Sequence, residues 1–439
     1  MRKLLGILSL LIIGITGYCT NVTGGIFSNT TWTLAGSPYI ITDTVKVFGG
    51  ITLTIQPGVV VKFNTKGFLE IAGSLSAKGN AHDSIIFTSN LASPKPGDYN
   101  GVSIQTSTDT LTYCRFSFSS NGLNYSGAYI GSPPLAHCVF ASNLVGIFFV
   151  ALVRIDTCIF KYNTTGIRNS DEDSINGCTL VNNGTAISNF SGGLYGPLEN
   201  SVIEYNTNGV FSNSSGLIEH CIINWNTDTA IYGNNDSIIY NEIEHNNIGI
   251  VSLNGSGIYY NSVSDNTVGF EVESGNTIEC NSICNNSSYN LISQTSNNFS
   301  VKDNYWCLTD SAQIQATIYD GHQKLTLGLV SFVPFYTSAC ASVPNAINEV
   351  KDNNEEIKVY PNPNNGQFII AFNHSELVSE SQAIVEVYNM MGQKIYNATL
   401  NQVQGDNNIN IGKQAPGVYF YRVLQEGGSL IGEGKLVVQ

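Results

Sequence analysis

The chain has 439 residues, of which 42% are hydrophobic and only 12% are charged, and its formal net charge at pH 7 is -14. This acidic balance argues against a nucleic-acid-binding protein, because such proteins need a basic surface for phosphates. Few charges together with many Gly, Asn, Ser, Thr and Tyr residues favour an all-β protein over a helical one. The length allows two or three domains, or one long repeat array with an appended domain.

The amino terminus has the pattern of a secretory signal peptide. Residues 1–19 begin with the basic pair Arg2 and Lys3 and continue with an apolar run from Leu4 to Ile15. The run is too short to span a bilayer, so it indicates export rather than a membrane helix. No later segment has the length and hydropathy of a transmembrane helix.

A repeat with intervals of 20 to 24 residues occupies the middle of the chain. Its first column, position 0, consists of Cys114, Cys138, Cys158, Cys178, Ser201, Cys221, Asn241, Asn261 and Asn281. Position 2 is apolar in every unit, and position 8 is mostly glycine. Position 5 is an asparagine column that consists of Asn143, Asn163, Asn183, Asn206, Asn226, Asn246, Asn266 and Asn286. Four columns in register over nine units indicate a true structural repeat.

Each repeat unit is too short to enclose a core and must stack on its neighbours. Strand-length apolar runs interrupted by Asn and Gly predict one coil of a parallel β-helix, with coils rising by about 4.8 Å. The stacked asparagines would then form an amide ladder at a bend, each side chain bonding to its neighbours above and below. The position 0 cysteines are predicted to point inward as small apolar side chains.

The repeat region resembles the right-handed parallel β-helix proteins of the pectate-lyase-like superfamily. The opening segments TLTIQPGVVVKF and GDYNGVSI and the closing segment DNYWC contribute to this resemblance, which covers residues 24–340. It implies an all-β solenoid. It leaves the activity open, because one fold hosts many functions.

The last part of the chain has a different pattern. Residues 341–356 carry Pro, Asn and acidic residues and indicate a linker. Residues 357–439 alternate apolar and polar side chains between turn signals, which predicts about seven short strands in a small β-sandwich.

Ordered motifs in residues 357–439 resemble the type A C-terminal sorting domain of the bacterial type IX secretion system. The motif residues are Pro361, Asn362, Pro363, Gly366, Gly392, Pro416, Gly417 and Lys435. The resemblance implies that the secretion machinery is a partner of this domain. It also implies that the protein is secreted or attached to the outer surface.

Positions 3 and 4 of the repeat are predicted to point outward beside the asparagine bend. Aromatic rings pack well on sugar faces, so the glycan-binding candidates are Tyr162, Tyr205 and Trp225. The candidate acid–base residues on the same face are Glu204, Glu244, His245 and Asp265. Glu204 and Glu244 lie two coils apart, about 9.6 Å at the sheet spacing, close to the carboxylate separation of inverting glycosidases.

Three functions remain open from the sequence. The first is an exported protein that binds glycans or adheres, with polysaccharide as its partner. The second is a polysaccharide lyase or glycoside hydrolase that acts on the outer face of the β-helix, although no catalytic signature of fixed spacing is present. The third is a purely structural surface component.

No cofactor is expected. The acidic segment at residues 170–173 offers a weak Ca²⁺ site, for which a solvated turn is the favoured alternative. One disulfide is expected near the end of the array, with Cys307 and Cys340 as the favoured pair among Cys280, Cys284, Cys307 and Cys340.

Overall fold

The chain divides into two compact units, Met1–Ile347 and Asn348–Gln439. The structure is a computed structural model, and it describes residues 19–105, 109–125, 135–149, 154–168, 174–190, 196–212, 215–340, 357–362, 364–372, 383–389, 394–400, 405–412, 414–415, 417–425 and 430–438. Most of the predicted signal peptide, residues 1–18, and the predicted linker, residues 341–356, lie outside the described residues.

The first unit is a parallel β-solenoid built from three ladders of strands. Along these short strands, buried and more exposed residues alternate, as expected where one face lies on a core. Ladder A comprises Thr20–Ile26, Tyr39–Val47, Val60–Phe63, Ile85–Ser89, Cys114–Ser117, Val139–Ala141, Ile159–Lys161, Thr179–Val181, Val202–Glu204, Ile222–Asn224, Glu242–Glu244, Ser262–Ser264 and Ser282–Cys284.

Ladder B follows the asparagine bend in each coil and comprises Phe68–Ile71, Tyr99–Ile104, Ser119–Tyr125, Val145–Phe149, Thr165–Arg168, Thr185–Phe190, Asn208–Ser212, Thr229–Gly233, Ile248–Ser252, Val268–Val272, Tyr289–Ser293 and Ile318–Tyr319. The long strand Tyr39–Val47 pairs with strands of both ladders and joins them into one sheet of 25 strands.

Ladder C closes each coil as a separate sheet of 12 strands. It comprises Thr30–Trp32, Thr52–Ile55, Ser74–Lys78, Thr110–Thr112, Leu135–Ala136, Arg154–Asp156, Ser174–Asn176, Leu198–Glu199, Leu217–Glu219, Ser237–Ile239, Gly257–Tyr259 and Thr277–Glu279. A 3-10 helix, Leu34–Gly36, connects the first strands. The prediction of an all-β solenoid is therefore confirmed.

The interior of the solenoid is a stack of equivalent side chains. The rings of Phe87, Phe116, Phe140 and Phe160 are buried at position 2, with centroids 4.7 to 5.0 Å apart. From Leu180 to Ile283 the same column is aliphatic. Removing such side chains from water supplies about 1.5–3 kcal/mol each toward folding, so the core repeats once per coil.

The asparagines at position 5 form a continuous buried ladder. Asn163 is typical: its Nδ2 donates to Asn183 Oδ1 and to the carbonyl oxygen of Phe140, both at 3.0 Å. Its backbone N–H also donates to Asn183 Oδ1, at 3.0 Å. The same pattern runs from Asn143 to Asn266, and Asn286 ends it by donating to Asn290 Oδ1. The buried amides at this bend are therefore bonded to neighbouring coils.

The position 0 column forms a second ladder. The predicted burial of its cysteines is confirmed, and all of them are free thiols. The N–H of Cys138 donates to Cys158 Sγ at 3.4 Å, and the equivalent N–H of Cys221 donates to Asn241 Oδ1 at 2.9 Å. Sulfur thus occupies the place of an amide oxygen. The cysteines are hydrogen-bond acceptors for the coil before them as well as packing groups.

The end of the solenoid corrects the disulfide prediction. The pairs are Cys280–Cys340 and Cys284–Cys307, each with Cα atoms 5.4 Å apart, so the predicted Cys307–Cys340 pair is wrong. The reason is an additional coil. Asn304 continues the position 0 column by accepting from Asn281 Nδ2 at 3.0 Å, which places Cys307 at position 3, next to Cys284.

Short elements follow the last coil. The helix Ser311–Ala316 begins at Asp310, whose Oδ1 accepts from the N–H groups of Ala312 and Gln313. The strands Phe299–Ser300 and Val330–Ser331 form a two-stranded parallel sheet. None of the helices in the described parts of the chain has the length and apolar character needed to cross a membrane.

The second unit contains two small antiparallel sheets. One has Ile357–Tyr360, Gln367–Phe372 and Gly405–Asn410, and the other has Lys394–Leu400, Ala383–Asn389, Gly417–Gln425 and Leu430–Val438. Their apolar side chains, including Phe368, Val385 and Val423, form a separate core. Burial would raise the pKa of Glu386, but hydrogen bonds from Lys394, Tyr388 and Arg422 outweigh it and lower that pKa to about 2.

The motif residues of this unit lie in turns and strands. Asn362 Oδ1 accepts from the N–H of Val437 at 2.8 Å, and the N–H of Gly366 donates to Asn364 Oδ1 at 2.8 Å. Gly366 has a φ of 93°, a positive value that glycine adopts without the steric penalty of other residues. Pro361 precedes this turn, and Gly417 and Lys435 lie in paired strands. Three further motif residues fall outside the described residues, namely Pro363, Gly392 and Pro416.

Candidate functional site

The outer face of ladder A presents positions 1, 3 and 4 of each coil. Position 4 is the bend that leads to ladder B, and its backbone is left-handed: φ is 56° at Tyr205, 58° at Trp225, 57° at His245 and 55° at Asp265. The next residue, the ladder asparagine, turns inward. This geometry pushes the position 4 side chains away from the core, and all four are exposed.

Three of these side chains form a stack, which we call the ring row: Tyr205, Trp225 and His245. The Trp225 and His245 ring centroids are 4.1 Å apart with an interplanar angle of 21°, and those of Tyr205 and Trp225 are 6.3 Å apart at 11°. Tyr205 and Trp225 are 53% and 46% exposed. Because the rings face one another, the row presents ring edges, with their hydroxyl and N–H groups, to solvent.

Tyr162 does not join the ring row. It occupies position 4 two coils earlier, with φ of 58° and 59% exposure, and Asn182 occupies the intervening coil. Asp265 continues the row beyond His245, but no hydrogen bond joins these two described side chains. The structure therefore brings together three of the predicted residues as a stack and leaves Tyr162 apart.

The carboxylates at position 3 lie beside the ring row. Asn224 separates Glu204 from Glu244: its backbone pairs in register with Glu204, and its Oδ1 accepts from the N–H of Glu244 at 2.8 Å. Ser264 Oγ donates to Glu244 Oε1 at 2.6 Å. Burial, and then repulsion by Glu242, raise the pKa of Glu204.

Glu242 was missed by the sequence analysis. It lies at position 1, and its Oε1 accepts from Asn224 Nδ2 at 3.1 Å. The signal was available, because alternate residues of a strand share a face, so positions 1 and 3 both point outward. Glu242 thus belongs to the same polar strip as Glu204 and Glu244.

A second row of stacked rings at position -1 was also missed. His220, Tyr240 and Tyr260 lie at the bend between ladder C and ladder A, with centroids 5.1 and 5.0 Å apart and interplanar angles of 8° and 10°. Their φ values of 52° to 58° repeat the left-handed geometry of position 4. Two rows of rings therefore border the strip of polar residues on the outer face of ladder A.

A further carboxylate pair lies on ladder C. Glu199 and Glu219 are in register on neighbouring strands. Burial, Glu219 and Asp156 raise the pKa of Glu199, while His220 opposes the rise.

Within the described ranges, no group of three or more His, Cys, Asp and Glu side chains is arranged to hold a metal ion. The weak Ca²⁺ candidate at residues 170–173 lies outside those ranges.

Comparisons with known proteins identify the second unit. Residues 358–439 match the family model of the secretion system C-terminal sorting domain. This match confirms the predicted sorting domain and supports export to a secreted or cell-surface location through the type IX system. A search of curated proteins gave no match.

A search of solved structures gave only distant matches. The A-module of mannuronan C-5 epimerase AlgE6 from Azotobacter vinelandii is 12% identical, over 71% of this chain and 88% of that chain, with a TM-score of 0.30. A mutant of the periplasmic alginate epimerase AlgG is 12% identical, over 67% of this chain and 77% of that chain, also with a TM-score of 0.30. At this level of similarity, the comparison carries no argument about activity.

Proposed function

We propose that this exported protein binds polysaccharide along the outer face of ladder A, with the sugar chain in contact with the ring row. The observation that carries the proposal is the exposed stack of Tyr205, Trp225 and His245 on left-handed backbone. A large exposed aromatic stack is unusual on the surface of a soluble protein and is typical of a binding site.

The cost of this arrangement supports a role in binding. At the same bend, Asn182 and Asn285 adopt the left-handed conformation, which asparagine tolerates better than bulky side chains. Left-handed backbone at other residues costs on the order of 1–3 kcal/mol each. Ring stacking returns only about 0.5–1.5 kcal/mol per pair. Asparagine at position 4 would thus stabilise the solenoid as well as the aromatic rings do. The rings therefore indicate a role other than folding.

The geometry suits an extended polymer. The ring row runs along the solenoid with one side chain per coil, at steps of about 4.8 Å. The tyrosine hydroxyl, the tryptophan N–H and the imidazole nitrogens offer hydrogen bonds at the exposed edges. Beside them, Glu204 and Glu244 offer carboxylate oxygens to sugar hydroxyls.

Glycan binding is tested with the purified full-length chain on a panel of soluble oligosaccharides of neutral, cationic and anionic type. We expect at least one class to bind, and Trp225→Ala to weaken that binding tenfold or more, as for the central aromatic residue of an interface. Tyr232→Ala is the matched control, because Tyr232 forms its aromatic pair with Phe211 on ladder B. No binding to any class, or equal losses in both variants, would refute the proposal.

A second candidate function is cleavage of the bound polysaccharide. It is favoured by the raised pKa of Glu204, which keeps that carboxyl protonated to higher pH, and by its position two coils from Glu244. Glu204 would donate its proton to the glycosidic oxygen as the bond breaks, while Glu244 would take a proton from the attacking water. Release of reducing ends by the wild-type chain, abolished by Glu204→Gln and by Glu244→Gln, is the expected result for an enzyme; wild-type binding without release would exclude it.

A further inference from the structure

The distribution of charge along the solenoid narrows the class of ligand. No lysine or arginine occurs between Arg168 and Lys302, and the histidines His220 and His245 are the only basic side chains in that stretch. The same stretch contains the whole ring row and the second row of rings. In these coils every fixed charge is therefore negative.

The carboxylates on the outer face of ladder A have neutral partners. Glu242 accepts from Asn224 Nδ2, and Glu244 accepts from Ser264 Oγ. Among the described ion pairs, none includes these two residues or Glu204. Neutral hydrogen bonds hold the carboxylates in place without cancelling their charge, and the raised pKa of Glu204 reflects burial and the nearby charge of Glu242.

From this charge distribution, and resting on the proposed function, we infer that the polysaccharide bound by ladder A is cationic, with protonated amino groups on its sugars. An ammonium group near a surface carboxylate gains about 1–4 kcal/mol at 4 Å, depending on the local dielectric. A uronate chain would meet repulsion of the same size from Glu204, Glu242, Glu244 and Asp265, with no lysine or arginine in these coils to offset it.

The proposal differs from simple attraction to an acidic surface. The carboxylates lie between two rows of stacked rings, with Glu204 in one coil and Glu242 and Glu244 two coils further along. A polymer with one amine per sugar that lies along the strip could bring separate amines to Glu204 and to the Glu242 and Glu244 pair, whereas a small amine would contact only one of these places. The ligand is therefore a polymer, and its affinity should rise with its length.

The experiment compares three oligosaccharides of equal length against the full-length chain by calorimetry at low and at 0.5 M salt. They are chitosan oligomers with free amines, the fully N-acetylated equivalents without charge, and oligogalacturonate. We expect the chitosan oligomers to bind at least tenfold more tightly than the acetylated ones at low salt. We expect this difference to shrink at high salt, because salt screens exposed charges.

Two variants test the residues. Glu242→Gln with Glu244→Gln should weaken binding of the chitosan oligomers fivefold or more and leave binding of the acetylated oligomers unchanged. The control is Glu271→Gln, which removes a carboxylate from ladder B in the next coil and should change neither. Circular dichroism of each variant checks that it is folded.

The possible outcomes separate the two proposals. Equal affinity for the charged and acetylated oligomers, together with loss of both in Trp225→Ala, would overturn the inference and leave glycan binding intact. Tighter binding of oligogalacturonate, with or without added Ca²⁺, would also overturn it. If none of the three oligomers binds, the proposed function itself fails.

Discussion

The inside and the outside of the same coils follow different rules. At position 5, the amides of Asn163 and Asn226 both donate to the asparagine of the next coil. They do so although one coil carries Lys161 and Tyr162 outside and the other Asn224 and Trp225. The inner columns change little along the solenoid, whereas the outer ones change from coil to coil. Inner residues are thus set by stacking, and the outer residues are free to carry function.

The largest loss of stability is expected when an inner amide of the position 5 column is removed. Asn226 donates to Ile203 O, Asn224 O and Asn246 Oδ1 and accepts from Asn206. Asn226→Ala should lower the free energy of unfolding by about 3–5 kcal/mol, because each buried polar group left without a partner costs about 1–3 kcal/mol. Urea denaturation measures the change. Asn247→Ala, at an exposed asparagine of the next coil, is the control and should change it by less than about 0.5 kcal/mol.

A smaller effect is expected in the cysteine column. Cys158 Sγ accepts from the N–H of Cys138, so Cys158→Ala should cost about 1–3 kcal/mol of unfolding free energy by leaving that N–H unpaired. Cys158→Ser should cost less, because Ser201 shows that a hydroxyl accepts the same bond, from Cys178 at 3.1 Å. Thermal melts compare the two variants. Equal losses in both would mean that packing alone matters at this position.

The third effect sharpens the contrast on the outer face. Trp225→Asn removes the stack on His245 but places asparagine at a left-handed residue, so the two contributions oppose each other. We expect the free energy of unfolding to change by less than about 1 kcal/mol while glycan binding is lost. A loss of stability comparable to that of Asn226→Ala would show that the ring row is structural.

The smallest effect concerns pH. The pKa of Glu204 is raised in the folded chain, so its ionisation opposes folding. This penalty is complete above the folded-state pKa and disappears as pH falls from there to the unfolded-state pKa. Glu204→Gln should therefore stabilise the protein slightly at neutral pH and not at acidic pH. The side chain is partly exposed, so solvent screening keeps the gain below about 1 kcal/mol. Melting temperatures of both proteins between about pH 3 and 8, a range that includes the usual pKa of glutamate, would show whether the difference grows as pH rises.

The repeat made much of the solenoid predictable. A column in the sequence becomes a stack in space because each coil adds a fixed rise. This rule is why the ring row was found from Tyr205, Trp225 and His245 alone. The sorting domain was predictable for another reason, since its turns need particular residues, such as the glycine at Gly366.

The disulfide partners, the second row of rings and the pKa of Glu204 could not be predicted from the repeat columns alone. The coil of Asn304 follows an interval of 23 residues, and the coil after it has no asparagine repeat to mark it, so the partners of Cys284 and Cys280 were not apparent. The second row, with His220, Tyr240 and Tyr260, was not predicted because it lies at position -1, whereas only positions 3 and 4 were expected to point outward. The raised pKa of Glu204 could not be predicted from the sequence, because it depends on how deeply the side chain is buried.

The thiol ladder has a practical consequence for studying how this protein opens. Burial raises the pKa of Cys138 and Cys158 well above the usual value for a thiol, and only the thiolate reacts with alkylating reagents. Each cysteine can therefore be labelled only when its own coil separates from the stack. The described solenoid has five buried free cysteines spaced along its axis, namely Cys114, Cys138, Cys158, Cys178 and Cys221. The order in which they react with an alkylating reagent would show which end of the solenoid opens first.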